Sequence, residues 1–228
     1  VFKKIPTKHH YKDVPTVLLA GEIFVRREAL SRQYITEKMA EKGFATVCSP
    51  IAEWILYSDY LVENGLTEEP LIGMEKLGFH IKKKVMRHVE KKVKSALSKS
   101  GLVHATPLDI KPIIDKGAKY ISPDLPGEAI LTVGSALDEI ANHVSGVIAI
   151  GPFGCMPNRL AESILNEAMT KEDKIASEPN NEKVKAILSD IDSLPFLAIE
   201  SDGSPFPQLI NAKLETFLLR AKRLHEKM

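Results

Sequence analysis

Gly146-Val147-Ile148-Ala149-Ile150-Gly151-Pro152-Phe153-Gly154-Cys155-Met156-Pro157-Asn158-Arg159 is the stretch from which the fold can be read. It opens as a short, wholly apolar run bounded by glycine, the signature of a strand buried on both faces. It then kinks through Gly151-Pro152-Phe153-Gly154. It continues into Leu160-Ala161-Glu162-Ser163-Ile164-Leu165-Asn166-Glu167-Ala168-Met169, whose apolar residues recur at helical spacing. A buried strand, a tight turn and an amphipathic helix make one βα unit of a parallel sheet. Cys155 lies in the turn, between the carboxyl end of the strand and the positive end of the helix. Both favour a bound anion or a thiolate.

Working outward, the same grammar recurs. Residues 14–25 predict a buried strand running into a loop, and residues 31–43 a helix with Ser31 as cap and Gly43 as stop. Phe44 to Cys48 predict a second strand, ended by Ser49-Pro50. Residues 51–62 predict a helix and residues 69–99 a long helical region, with a break near Gly73 or Gly78. Helices are expected over 107–117 and 125–143, with Pro107, Pro123 and Pro126 near their starts. The third strand is 146–150, with a helix over 156–170. Residues 171–181 are polar and read as a mobile loop. Pro195 to Glu200 predict the fourth strand, Ser201 to Pro205 a turn, and about 206–226 a closing helix. The expectation is an α/β, Rossmann-like domain over 1–228, with a four-stranded, mostly parallel sheet flanked by helices and a helical insertion at 69–143.

In such sheets ligands bind outside the carboxyl ends of the strands. Four segments fall there: Glu22 to Arg27, Cys48, Gly151 to Cys155, and Glu200 to Gly203. Cys155 is either a buried small hydrophobe or a ligand; a turn flanked by glycines is a poor place to bury it. Cys48 reads as a packed, inert thiol. Arg26 and Arg27 suit phosphate oxygens or a solvated strand end, with Glu22 as a partner for one of them. Arg159 sits in the first helical turn, where its charge opposes the helix dipole; a neighbouring anion would explain it. Trp54, Tyr57 and Tyr60 have the spacing of core residues. Glu200 and Asp202 read as structural. No Gly-x-Gly-x-x-Gly or P-loop pattern is present. The seven histidines, His9-His10 among them, show no metal-ligand spacing.

Four stretches together resemble the 2-hydroxyacyl-CoA dehydratase superfamily. They are Gly21 to Arg27, Glu53 to Tyr60, the turn at 151–159, and Leu197 to Gly203. The nearer branch is the one named for activation of (R)-2-hydroxyglutaryl-CoA dehydratase, the CoA-substrate-specific enzyme activases, in their C-terminal part. Double-cubane iron–sulfur proteins are relatives. The resemblance implies an iron–sulfur cluster, 4Fe–4S or double-cubane, with Cys155 as one ligand. The family's other cysteine ligands lie in an upstream domain, so the cluster is incomplete within this chain. The remaining thiolates come from an upstream cysteine-bearing domain or subunit. The resemblance also implies an ATP-hydrolysing activator that injects one electron and an acyl-CoA substrate. Glu22, Arg26, Gly154 and Arg159 are then expected near cluster or substrate.

Composition bounds the rest. With 228 residues, 44% of them hydrophobic, the chain can fill a core. Opening on Val1-Phe2-Lys3-Lys4, it reads as a domain of a longer protein, with nothing resembling a signal peptide. No apolar run is long enough for a bilayer. Two distant cysteines point to a reducing cytoplasm rather than a disulfide scaffold. Net charge is +1, which argues for no polyanionic partner. Locally the balance differs: from Lys76 to Lys99 nine basic residues face one acid, Glu90. Without interleaved aromatics, this helix at 81–99 reads as a solvated face first, a dock for an acidic partner second, and a nucleic-acid site last. The competing functional expectation is a non-catalytic partner-docking module of a multidomain activase.

Overall fold

The computed structural model describes residues 13–67, 71–100, 105–125, 127–203 and 208–228. His9, His10, Pro126, Ser204 and Pro205 lie outside the described residues. The sheet contains β1 (Thr16–Gly21), β2 (Ala45–Cys48), β3 (Gly146–Pro152) and β4 (Phe196–Ser201). All pairings are parallel, in the order β2-β1-β3-β4. The helices are α1 (Ile23–Arg27), α2 (Ile35–Glu41), α3 (Ala52–Glu63), α4 (Met74–Ser98), α5 (Lys111–Gly117), α6 (Ala129–Glu139), α7 (Met156–Ala168), α8 (Lys171–Ser177), α9 (Glu182–Ile187) and α10 (Gln208–His225). Among the described residues no helix is long and apolar enough to cross a membrane.

Strand side chains alternate between two cores. Leu18, Ala20 and Val147 face Ile113, Val133, Leu137, Ala161 and Leu165 of α5, α6 and α7. Val17, Leu19, Ile148 and Ile150 face Ile35 and Met39 of α2 and Leu214, Phe217 and Leu218 of α10. The result is a three-layer sandwich, and it explains why β1 and β3 read as unbroken apolar runs. Within residues 69–143 the helices divide. α6 is the layer itself, with nine consecutive buried residues from Ala129 to Leu137. α4 runs uninterrupted through Gly78, starts after Gly73, and buries no residue.

Three expectations need correction. The loop after β1 contains the short helix α1, capped by Glu22, whose Oε2 accepts from Val25 N–H at 2.7 Å. Ser31 caps nothing: its N–H donates to the Glu28 carboxylate at 2.6 Å, Gln33 and Tyr34 turn left-handed, and α2 starts only at Ile35.

The third correction is larger. Residues 171–181 are no mobile loop. Thr170 caps α8, Asn181 caps α9, and Lys174 of α8 is fully buried. The Lys174 ammonium donates to Leu137 O at 2.6 Å and to Glu178 at 2.9 Å. Lys116 binds Asp138 at 2.5 Å and also Glu178, while Asn142 and Asn181 donate to the same carboxylate. Burial raises the Glu178 pKa, but the two ammonium groups outweigh it and hold the carboxyl at about 2. Polar composition conceals a buried ionic network that fastens α8 to α5 and α6.

Candidate functional site

The strand order places a topological switch between β1 and β3. From β1 the chain turns through α1 and α2 on the α10 side of the sheet; from β3 it turns through α7 on the α6 side. In open parallel sheets ligands bind outside the carboxyl ends of the strands at such a point. There the backbones approach closely. Glu22 N–H donates to Ile150 O at 2.9 Å. A Cβ built on Gly21, which has φ +103°, would fall 2.1 Å from Ile150 O, so only glycine fits.

Cys155 is the N-cap residue of α7, half-buried, and its side chain makes no capping hydrogen bond. The turn before it is held from the neighbouring strand: Phe153 N–H donates to Ser201 O at 2.9 Å, and Gly154 N–H donates to Glu200 Oε1 at 3.1 Å. Glu200 also pairs with Arg159, whose other nitrogen binds Glu162 at 2.6 Å. The anion that answers Arg159 and the end of α7 is thus Glu200 itself. Beneath the turn, Asn158 is buried with its Oδ1 unpartnered. Its amide carbon lies 2.4 Å from where a Cβ on Gly151 would sit. Flanking Cys155 in the chain, Phe153 and Met156 stand 74% and 79% exposed.

On the α6 side of β1 a second feature adjoins this turn. Arg26 and Glu53 are each only 5% exposed, and Ser49 is buried between them in sequence. All three line a small cavity of about 10 Å³ with Ala20, Ile23, Trp54, Glu128, Leu131 and Thr132. That is about the room one water needs. Arg26 donates one nitrogen to Gly21 O at 2.5 Å; its Nε and the Ser49 hydroxyl have no partner. Burial lowers the Arg26 pKa, partly offset by the charge of Glu53. Burial likewise pushes the Glu53 carboxyl up to about 7, with Arg26 pulling the other way. A carboxyl of that pKa exchanges its proton near neutrality. Gly127, next to Glu128, would press a Cβ against the Pro157 ring at 2.9 Å, so the cavity and the cysteine turn are neighbours.

The fold thus gathers Glu22, Arg26, Gly154, Cys155 and Arg159 along one edge of the sheet but gives them different work. Glu22 caps α1 and pairs with no arginine through its capping oxygen; Arg26 is buried instead of presented to solvent; Arg159 is answered by two glutamates. Arg27 donates to Ser49 O at 2.9 Å, and the Cys48 thiol, half-buried, lies 3.8 Å from Arg26 O. Tyr57 is a core residue with its hydroxyl on Pro123 O, and Trp54 packs beside it. Glu53, Ser49 and Asn158 are marked as site residues by no residue type or spacing, although Glu53 and Asn158 lie within the stretches that carry the resemblance. Each becomes one only because parallel pairing brings the ends of β1, β2 and β3 together.

Among the described residues no group of three or more His, Cys, Asp or Glu side chains could hold a metal ion. Cubane clusters take several thiolates, and this edge offers Cys155. The residues present do not fit a complete resident cluster. No family model, curated protein or solved structure matches the chain.

Proposed function

We propose that this chain is an α/β module of an iron–sulfur enzyme resembling the 2-hydroxyacyl-CoA dehydratases. It lends Cys155 to a 4Fe–4S or double-cubane cluster whose other ligands come from another domain or subunit. The supporting observation is the setting of Cys155. The thiol stands at the switch point of a parallel sheet, at the N-terminus of α7, uncommitted to its own cap and flanked in the chain by exposed Phe153 and Met156. Exposed apolar side chains next to it in the chain suit a surface that closes against another domain. Glu53, close to neutrality in its pKa, is the proton-exchanging group of this edge.

On the same reading, the partners are an ATP-hydrolysing activator that supplies the electron and an acyl-CoA substrate, in a reducing cytoplasm. The test is iron, acid-labile sulfide and low-temperature EPR on the full-length protein with its cysteine-bearing partner, prepared without oxygen. Wild type, Cys155→Ser and Cys48→Ser are compared. The expected result is a cluster signal lost or altered in Cys155→Ser and retained in Cys48→Ser. An unchanged signal in Cys155→Ser, or no iron in a folded wild type, overturns the reading.

A further inference from the structure

Helix α4 lies on the protein by the wrong face. Its half-buried residues are Phe79, Lys83, Met86, Glu90, Lys94 and Ser98, at helical spacing along one edge. That edge is fixed by polar contacts: Lys82 to Asp59 at 2.9 Å, Lys83 to Glu63, Glu90 accepting from Leu108 N–H at 2.6 Å, and Lys94 donating to Thr106 O at 2.9 Å. About a third of a turn away runs the apolar stripe Leu77, Ile81, Val85, Val89, Val93, Leu97. Each of these side chains is between 41% and 56% exposed. A helix normally turns such a stripe to the core; here the body holds the flank and leaves the stripe outward for its whole length.

Charge says what covers it. α4 carries eight Lys and Arg against Glu75 and Glu90, a net +6, in a chain whose total is +1, so the remaining residues sum to −5. Lys84, Arg87 and Lys91, with His80 and His88, line an open groove against Glu63 on an adjoining face of α4, a groove that no stripe residue lines. A second copy pairing α4 with α4 would set +6 against +6, which like-charge repulsion opposes. A lipid surface suits a broad face of Leu, Phe and Trp, whereas this stripe is one residue wide, mostly β-branched, and free of aromatic residues. Ridges at four-residue spacing are the ones that seat in the grooves of a second helix, at a crossing of about −50°.

We infer that the outward stripe of α4 is the docking surface for an amphipathic helix of another polypeptide segment, one that carries Asp and Glu beside its own apolar ridge. Apolar burial supplies the adhesion, and the net positive charge of α4 selects the acidic partner and speeds encounter. This does not rest on the cluster reading, since it uses no residue of the carboxyl edge.

The probe is a synthetic helix with Leu at every fourth position flanked by Glu, beside a scrambled peptide of identical composition. Fluorescence anisotropy measures binding to the whole chain. The patterned peptide is expected to bind at least about tenfold more tightly than the scrambled one, a difference of about 1.4 kcal/mol. Val85→Asp with Val89→Asp should cost about tenfold again, with circular dichroism unchanged. Raising salt from about 0.05 to about 0.5 M should weaken binding, because the selecting charges are exposed. Equal binding of the two peptides, or undiminished binding by the double variant, overturns the inference. So does light scattering that shows a dimer dissolved by that variant, or capture by phosphatidylserine vesicles in preference to the peptide.

Discussion

α4 and α8 invert each other. α4 is amphipathic, with a regular apolar stripe, yet buries nothing; α8 reads Lys-Glu-Asp-Lys-Ile-Ala-Ser, yet places a lysine wholly out of water. The contrast teaches that apolar pattern reports what a segment can bury, while partner geometry decides what it does bury. Lys174 is tolerable inside because two backbone carbonyls and Glu178 satisfy its donors. The stripe of α4 is left outside because the residues that meet the body are its flanking charges.

The comparison breaks most visibly at Lys174. Lys174→Ala leaves a void and removes one of the two ammonium partners of Glu178; a loss of about 3–5 kcal/mol in urea unfolding is expected. Lys174→Met should lose less, because it refills the volume without a charge. The same network sets an acid limit. The Glu178 pKa is depressed from 4.5 to about 2, so its contribution is present above pH 4.5 and fades as the pH falls toward 2. Glu178→Gln should flatten that part of the acid unfolding curve.

Next in size is the buried carboxyl at the sheet edge. The Glu53 pKa is raised from 4.5 to about 7, so the folded state holds that proton longer than the unfolded chain. Stability therefore falls as the pH rises across this interval, by about 3 kcal/mol at about 1.4 kcal/mol per unit. Glu53→Gln should remove that slope. Urea midpoints at pH 5 and pH 8 for the two proteins measure it, and parallel pH profiles would show that Glu53 ionises normally.

The smallest effects belong to α4. Val89→Asp should change stability by no more than about 0.5 kcal/mol, because the side chain is half exposed and belongs to neither core. Hydrogen exchange should show the α4 amides opening far more readily than those of α6, whose consecutive buried residues tie it to the global unfolding. A large cost at Val89, or slow exchange in α4, would mean that the stripe is already covered within the chain.

Much of the fold was legible. Gly146 to Ile150 and Val17 to Ala20 are apolar at every position because parallel strands are covered on both faces, and the Gly and Pro residues that follow mark where the chain leaves the sheet. The cysteine turn was legible for the same reason: it joins a strand with no polar residue to a helix with one apolar side. α1 escaped because its cap is a glutamate and its length five residues.

The sequence by itself determined the order of the four strands along the chain, the parallel sense forced by long crossovers, and the place of Cys155 at a strand's carboxyl end. These depend on local periodicity and on the impossibility of joining parallel strands by a tight turn. Only the tertiary structure decided that Arg26 and Glu53, far apart in the chain, share a small cavity; that Glu200 from the next strand answers Arg159; that Lys174 is inside; and that α4 faces its stripe to solvent. Those outcomes depend on which surfaces meet once the sheet has closed. Desolvation and pairing between distant groups set them, and no window of sequence contains both partners.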